Sequence, residues 1–217
     1  FYEIGLPREV LQLVQGDGAV GAKLVADPRI AGVAFTGSTE VARLINRTLA
    51  AKDGPIVPLI AETGGLNGMF VDTTALKEQV VDDVCVSAFN SAGQRCSSLR
   101  VLFLPHDTAD GTIQTLTGAM DCLVIGDPSD PKTDIGPIID AEAKAIFGPI
   151  LHIVRYDPAE VAKIGAQLAA KGYGLTLGVH SRLESFAQEV IASAPAGNVY
   201  VNRTIVGAVV GVQPFGG

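Results

Sequence analysis

Cys96 is the residue whose surroundings point most clearly to chemistry. It follows Arg95 and precedes two serines, so a neighbouring cation and hydroxyl groups favour the thiolate, the nucleophilic form of cysteine. Gly93 permits a tight turn that brings the backbone close to a ligand, where the N–H of Cys96 can stabilise an oxyanion. For this motif alone, an unreactive buried cysteine is the alternative. Cys85 and Cys122 lie in apolar contexts beside helices, and we predict that both are unreactive buried cysteines.

A carboxylate and a strand–glycine–helix junction precede Cys96 along the chain. Glu62 directly follows the apolar segment 56–61, which predicts a place at the carboxyl edge of a strand, where ligands bind in open α/β sheets. There it could act as a general base, and a solvated loop carboxylate is the alternative. Thr36, Gly37 and Ser38 join a predicted strand to a helix whose first N–H groups suit a pyrophosphate. An ordinary capped turn is the alternative here.

Few reactions use a cysteine nucleophile, a carboxylate base and a phosphate-binding turn together. Thiohemiacetal formation with an aldehyde, hydride loss to a nicotinamide and thioester hydrolysis use all three. A metal site is not expected, because the three cysteines include no CxxC pair. His106, His152 and His180 stand apart at the ends of predicted strands and are predicted to be surface or packing residues.

The segments that must hold these residues alternate between strand and helix. The predicted strands span residues 30–35 (a buried strand), 56–61, 67–71, 99–104, 151–156, 175–180 and 198–202. The predicted helices span residues 20–27, 40–51, 76–89, 108–119, 158–171 and 183–194. This alternation predicts an α/β fold with mostly parallel sheets.

The composition excludes several classes of protein. Of the 217 residues, 47% are hydrophobic and only 18% are charged, which indicates a folded chain of one or two domains. The net charge of −7, without a basic block, argues against a nucleic-acid surface. No apolar run approaches the roughly 18 residues of a membrane span, and nothing resembles a signal peptide. The three cysteines are an odd number without a CxxC pair, which makes a disulfide framework improbable, so we expect a reduced, cytoplasmic setting.

Five motifs in a fixed order resemble the aldehyde dehydrogenase superfamily. They are Phe-Thr-Gly-Ser-Thr-Glu at residues 35–40, Glu-Thr-Gly-Gly at 62–65, Gly-Gln-Arg-Cys at 93–96, Ile-Phe-Gly-Pro at 146–149 and Pro-Phe-Gly-Gly at 214–217. Finer details are similar to the L-glutamate γ-semialdehyde (pyrroline-5-carboxylate) dehydrogenase branch, most of all to the dehydrogenase domain of bifunctional proline utilisation A proteins. They lie at residues 60–65, 91–97, 151–156, 172–176 and 205–210. This resemblance implies NAD-dependent oxidation of L-glutamate γ-semialdehyde to L-glutamate in proline catabolism.

The resemblance also implies roles for individual residues. Cys96 matches the family's nucleophile and Glu62 its general base. The matches for cofactor binding are Thr36, Gly37 and Ser38 at the pyrophosphate and Phe147 beside the nicotinamide. The matches for substrate binding are Ser97, Gly207, Ala208 and Phe215. An amino-acid aldehyde carries charged groups that need several donors, and a Gly-Ala loop exposes backbone N–H groups to them.

The same resemblance implies an aldehyde dehydrogenase-like organisation. Residues 1–63 match part of a Rossmann-type NAD-binding domain, and residues 64–217 match the catalytic α/β domain. A homo-oligomer is expected, and FAD is expected only if a proline dehydrogenase domain lies elsewhere on the polypeptide. The family's region that discriminates NAD from NADP has no counterpart here.

The sequence departs from the family pattern at one internal point. In relatives, a long stretch of helix and strands precedes Ile-Phe-Gly-Pro, and a glutamate that binds the nicotinamide ribose stands where this chain has Ala145. We interpret this as missing segments, with an internal gap near 145/146 and a C-terminus cut short at Gly217, and we expect no useful turnover from these 217 residues alone. An aldehyde dehydrogenase for another aldehyde, and a catalytically inactive binding or assembly module, are the alternative functions.

Overall fold

The structure, a computed structural model, describes residues 1–209, 211–213 and 215–216. Val210, Pro214 and Gly217, which belong to two of the motifs above, lie outside the described residues. The chain divides into two units, Phe1–Thr63 and Gly64–Gly217. The assignment of these units to cofactor binding and catalysis stays a prediction.

The first unit is built on two parallel strands and two helices. Its elements are α1 (Gly18–Ala26), β1 (Val33–Thr36), α2 (Thr39–Ala50) and β2 (Leu59–Glu62), after a 3-10 turn at Tyr2–Ile4. Ser38 starts α2 because its Oγ accepts the N–H of Val41 at 3.2 Å. No residue of β1 or β2 is buried. The prediction of a buried strand over residues 30–35 is therefore wrong, since two strands and two helices provide too little cover.

The second unit contains a five-stranded, fully parallel sheet. Its strands, in the spatial order β5-β4-β3-β6-β7, are β3 (Asn67–Val71), β4 (Leu99–Pro105), β5 (His152–Tyr156), β6 (Thr176–His180) and β7 (Asn198–Val201). The helices are α3 (Lys77–Phe89), α4 (His106–Asp121), α5 (Ala141–Ile146), α6 (Val161–Ala169) and α7 (Glu184–Ser193), with 3-10 turns at Asn90–Gly93 and Pro158–Glu160. The predicted α/β fold is confirmed. Only the short α5 was not predicted; Asp140 starts it by accepting the N–H of Ala143 at 2.7 Å.

The sheet of the second unit has a hydrophobic core on each face. Successive side chains of a strand point to opposite faces, and β3 shows the result. Met69 and Val71 join the cluster that includes α3 and α4, whereas Phe70 joins the cluster that includes α6 and α7. The Phe70 ring stacks on Phe103, with 4.3 Å between centroids. Burial on both faces holds the strands in place, and with them the strand ends near which several of the predicted site residues lie.

His180 is buried at the end of β6 beside an acidic residue. Its side chain is 1% exposed, and its Nε2 lies 3.4 Å from Oδ2 of Asp83 on α3. Burial lowers the pKa of His180 from 6.5 to about 4. Burial and the charge of Asp82 raise the pKa of the Asp83 carboxyl. The folded state therefore favours the neutral imidazole.

We expect the second unit to lose stability as the pH falls from 6.5 towards 4. A histidine with a depressed pKa stays neutral in the folded state while the unfolded chain takes up a proton, so its contribution is complete above 6.5 and declines below. The loss attributable to His180 should approach about 3 kcal/mol of unfolding free energy, measured by urea titrations followed by circular dichroism. The raised pKa of Asp83 stabilises the folded state as the pH falls, which opposes the effect of His180. The variant H180Q removes the contribution of His180 and should therefore abolish the loss of stability between pH 6.5 and 4. H152Q, at an exposed histidine, is the control and should lose stability with falling pH as the unmutated chain does. The same change of unfolding free energy with pH in H180Q and in the unmutated chain would contradict the prediction.

Candidate active site

Cys96 follows a turn with an unusual backbone. Ser91, Ala92 and Gly93 have φ values of 55°, 54° and 67°, three successive residues in the left-handed region. Such conformations are costly for residues other than glycine and persist only where surrounding contacts impose them. The N–H of Gln94 donates to the Ser91 carbonyl oxygen at 3.0 Å and closes the turn. Cys96, half-buried, comes just before β4.

Asn67, the first residue of β3, holds the backbone around Cys96. Its Nδ2 donates to the carbonyl oxygens of Cys96 and Ser98 at 2.7 and 2.8 Å. Its Oδ1 accepts the N–H of Thr176 at 3.2 Å. Asn67 is buried, so these bonds form without competing water. Asn67 was not predicted as a site residue; the available signal was an asparagine at the start of an otherwise apolar strand.

The second glycine of Glu-Thr-Gly-Gly gives the Cys96 backbone its space. A Cβ added at Gly65 would lie 2.6 Å from the Cys96 carbonyl oxygen and 2.7 Å from Oδ1 of Asn67. A Cβ added at Gly64 would meet no atom within 4 Å. The motif therefore contributes a steric requirement at Gly65 that is separate from the chemistry of Glu62.

The nucleophile candidate lies at the amino edge of the five-stranded sheet. Cys96 precedes β4, and its backbone is tied to Asn67 and Thr176, the first residues of β3 and β6. In open α/β sheets, ligands usually bind at the carboxyl edge, where the strand order reverses. At the carboxyl edge between β3 and β6, the hydroxyl of Ser181 donates to Oδ2 of Asp72 at 3.0 Å.

Glu62 and the predicted pyrophosphate turn lie side by side in the first unit. Thr36 and Glu62 are register partners at the ends of β1 and β2, and the N–H of Gly37 donates to the Glu62 carbonyl oxygen at 3.1 Å. Glu62 is half-buried. Ser38 is the N-cap of α2, as the sequence predicted, and its hydroxyl hydrogen stays available because its Oγ accepts from the helix. The four predicted residues of this unit thus share one strand edge.

Phe147 lies against an arginine that also reaches the Cys96 turn. The Cζ of Arg100, on β4, is 5.8 Å from the centroid of the Phe147 ring. The guanidinium donates to the carbonyl oxygen of Gly148 at 3.1 Å and to that of Gly93. A Cβ added at Gly93 would lie 2.3 Å from the Gly148 carbonyl oxygen, so the two backbones are in contact. This link could not be predicted from the sequence, since Arg100 stands inside an apolar strand.

Ser97 and the segment that leads to Gly207 and Ala208 are each held by a hydrogen bond to the rest of the second unit. Ser97 is buried, and its carbonyl oxygen accepts from Thr176 Oγ1 at 3.4 Å. The loop that carries Gly207 and Ala208 is held by the N–H of Ile205, which donates at 3.1 Å to Oγ of Ser87, near the end of the helix that leads into the turn. Gly207 has a φ of 81°.

Phe215 is exposed, and the residue after it is attached to β7. The carbonyl oxygen of Gly216 accepts from Nδ2 of Asn198 at 3.3 Å. Asn198 is the first residue of β7, so this segment returns to the amino edge of the sheet. The roles given to Ser97, Gly207, Ala208 and Phe215 stay predictions.

The other two cysteines differ from Cys96 in their surroundings. Cys85 is half-buried on α3, where burial and then the charge of Asp82 raise the pKa of its thiol. A raised thiol pKa lowers reactivity. Cys122 follows the last residue of α4 and is exposed. The prediction of a buried Cys122 is therefore wrong, because the helix ends at the surface.

Two classes of feature are absent from the residues that the structure describes. Within residues 1–209, 211–213 and 215–216, no helix is both long and apolar enough to cross a membrane. Over those same residues, no three side chains of His, Cys, Asp or Glu are grouped to hold a metal ion.

Comparison with known proteins gives one family. A sequence model described as "Aldehyde dehydrogenase family" matches residues 1–145 and 143–217. The bifunctional protein PutA of Salmonella typhimurium is 46% identical over 271 residues, a match that covers 99% of this chain and 20% of that protein. This match is longer than the 217 residues of the chain. The family match itself is divided at residues 143–145.

Solved structures show the same likeness. A crystal structure of a mutant of Bradyrhizobium japonicum proline utilization A is 51% identical with a TM-score of 0.96, covering all of this chain and 27% of that chain. A 1-pyrroline-5-carboxylate dehydrogenase from Thermus with bound NAD is 29% identical with a TM-score of 0.91, covering 99% of this chain and 51% of that chain. The chain thus spans about a fifth to a half of the length of the relatives it matches.

Proposed function

Because this chain belongs to the aldehyde dehydrogenase family, we propose that it carries residues that oxidise L-glutamate γ-semialdehyde to L-glutamate with NAD. The observation that carries the proposal is the Cys96 turn, in which left-handed residues 91–93 precede a cysteine whose carbonyl oxygen accepts from Asn67 at the amino edge of the sheet. The names of the relatives support the substrate, since 1-pyrroline-5-carboxylate is the cyclic imine of this aldehyde.

The Cys96 thiolate supplies the covalent step. Its Sγ adds to the aldehyde carbon, and the carbonyl oxygen becomes the oxyanion of a thiohemiacetal, which the N–H of Cys96 would stabilise. Loss of hydride from that carbon leaves a thioester on Cys96. Glu62 would take a proton from water as the water attacks the thioester carbon. The carbon–sulfur bond then breaks, which releases the acid and returns the Cys96 thiolate.

The first unit offers residues for the cofactor. The N–H groups at the start of α2, together with the Ser38 hydroxyl, suit the charge of a pyrophosphate. Gly37, exposed beside them, leaves the backbone accessible. NAD, when bound, supplies a hydride acceptor. Phe147 would pack against the nicotinamide by its resemblance to the family's aromatic residue.

The substrate class follows from the loop after β7. An aldehyde that is also an amino acid carries a carboxylate and an amine, which need hydrogen-bond partners once water is excluded. We assign these contacts to Ser97, Gly207 and Ala208, with Phe215 against the aliphatic part. The resemblance further supports a homo-oligomeric cytoplasmic enzyme, with FAD only on a proline dehydrogenase domain elsewhere on the polypeptide.

The proposal is tested by aldehyde addition to Cys96, which needs no turnover. L-Glutamate γ-semialdehyde should slow iodoacetamide alkylation of Cys96, mapped by mass spectrometry, at concentrations at least about tenfold lower than propionaldehyde requires. Equal protection by both aldehydes would indicate an aldehyde dehydrogenase of another specificity. A Cys96 that is unprotected by either aldehyde, with no NADH formed, would indicate an inactive binding module.

A further inference from the structure

Arg100 is a half-buried cation without a carboxylate partner among the described residues. Burial lowers the pKa of its guanidinium, and the ion pairs in the described part of the chain involve other residues. Its charge is instead balanced by the carbonyl oxygens of Gly93 and Gly148 and by the face of the Phe147 ring. Removing a cation from water costs free energy, and two carbonyl groups compensate that cost less well than a carboxylate does. A buried cation with such partners therefore suggests a role other than stabilising the fold.

The four residues Gly93, Arg100, Phe147 and Gly148 form what we call the Arg100 clamp. It joins two segments that are about fifty residues apart in the chain. One segment ends the left-handed turn three positions before Cys96, and the other begins at Phe147. A Cβ at residue 93 would clash with the carbonyl oxygen of Gly148, so this close approach of the two backbones requires glycine at position 93.

We propose that Arg100 is a positioning residue that sets the Cys96 turn against the Phe147 segment. The inference rests on the proposed function, in which hydride leaves a carbon bonded to Cys96 and Phe147 orients the hydride acceptor. Such a transfer depends strongly on the separation and alignment of the two groups. The clamp supplies that alignment before any ligand arrives.

The chemistry of the clamp requires arginine. A planar guanidinium donates to two carbonyl oxygens at once and stacks on an aromatic ring, whereas a lysine ammonium is a single point charge on a flexible stem. Replacement by lysine therefore keeps the positive charge and loses the bridge. R100K therefore tests the bridge alone, whereas R100M removes both the bridge and the positive charge.

Hydrogen exchange of the whole chain tests the clamp without any ligand. In R100K and R100M, amides of residues 91–98 and 147–150 should both exchange at least about tenfold faster, because one opening event exposes both segments. Amides of β3 and β6 should keep their rates, which separates the effect from general destabilisation. R155M, at an exposed arginine on β5, is the matched control and should change neither segment.

Further readouts separate the clamp from the proposed function. Protection of Cys96 by L-glutamate γ-semialdehyde should persist in R100K within about threefold. In the full-length polypeptide that carries these residues, the kcat of NADH formation should fall about tenfold while KM for the aldehyde is unchanged. Unaltered exchange in both segments, or a change in only one of them, would overturn the clamp even with Cys96 reactive. An unmutated chain whose Cys96 does not react with aldehyde would overturn the proposed function and leave the exchange result intact.

Discussion

In the full-length polypeptide that carries these residues, replacing Cys96 with alanine is expected to lower NADH formation from L-glutamate γ-semialdehyde by about four orders of magnitude or more. Without Sγ, no thiohemiacetal forms, and hydride would have to leave an aldehyde or its hydrate with no covalent attachment. The remaining groups, including Glu62 and the backbone donors, act on an intermediate that no longer exists. Their contributions are therefore lost together with the nucleophile, as is usual for residues that act as a unit.

The measurement has a covalent readout beside NADH absorbance. After brief incubation with aldehyde and NAD and an acid quench, mass spectrometry should find an acyl adduct on the peptide that contains Cys96, and no adduct on C96A. C85A and C122A are the controls, since the Cys85 thiol has a raised pKa and Cys122 lies at the end of a helix. Turnover by C96A within about tenfold of the unmutated protein would exclude Cys96 as the nucleophile.

The fold could be predicted from periodicity because the core of the second unit is buried on both faces. Short apolar runs between helical segments, such as residues 67–71 and 99–104, favour buried strands covered by helices, and the structure confirms these two strands. Burial of residues 30–35 was predicted wrongly by the same reasoning. An apolar run indicates a strand, but its burial depends on how many neighbours pair with it, and here β1 pairs only with β2 within the described sheet.

The candidate site was only partly predictable, since motif spacing names reactive groups without locating them. Cys96 and Glu62 were predicted as nucleophile and base because they stand in motifs that resemble those of the family, and these roles stay predictions. That Cys96 lies at the amino edge depends on long-range hydrogen bonds, such as that from Asn67, 29 residues away. The left-handed conformation of Ser91 and Ala92 was equally hidden, because neither residue type favours it.

Arg100 and Asn67 share a reason for being missed. Each stands in a strand whose other residues are apolar, and each hydrogen bonds to main-chain carbonyl groups of distant segments. A backbone carbonyl is present at every residue, so no complementary partner can be recognised in the sequence. A polar residue inside a predicted buried strand can therefore be assigned a role in positioning the backbone only once the structure shows which carbonyl groups it binds.

The role of Asn67 leads to the largest expected effect on stability. Its side-chain amide both donates and accepts hydrogen bonds. The Nδ2 donates to the carbonyl oxygens of Cys96 and Ser98, and the Oδ1 accepts the N–H of Thr176. Aspartate has the same shape and no amide donors. Its second oxygen would face two carbonyl oxygens at distances of 2.7 and 2.8 Å in a buried site.

We expect N67D to lower the unfolding free energy of the second unit by about 3–5 kcal/mol, because an ionised carboxylate there is buried without a partner and a protonated one satisfies only one carbonyl. This is a large part of the 5–15 kcal/mol that typically stabilises a folded protein. Urea unfolding followed by circular dichroism measures the change. N90D, at an exposed asparagine next to the same turn, is the matched control and should stay within about 0.5 kcal/mol. In N67D molecules that remain folded, the Cys96 carbonyl is released, so protection of Cys96 by aldehyde should weaken. If N67D and N90D unfolded at the same urea concentration, the carbonyl contacts of Asn67 would not be what holds the Cys96 backbone in place.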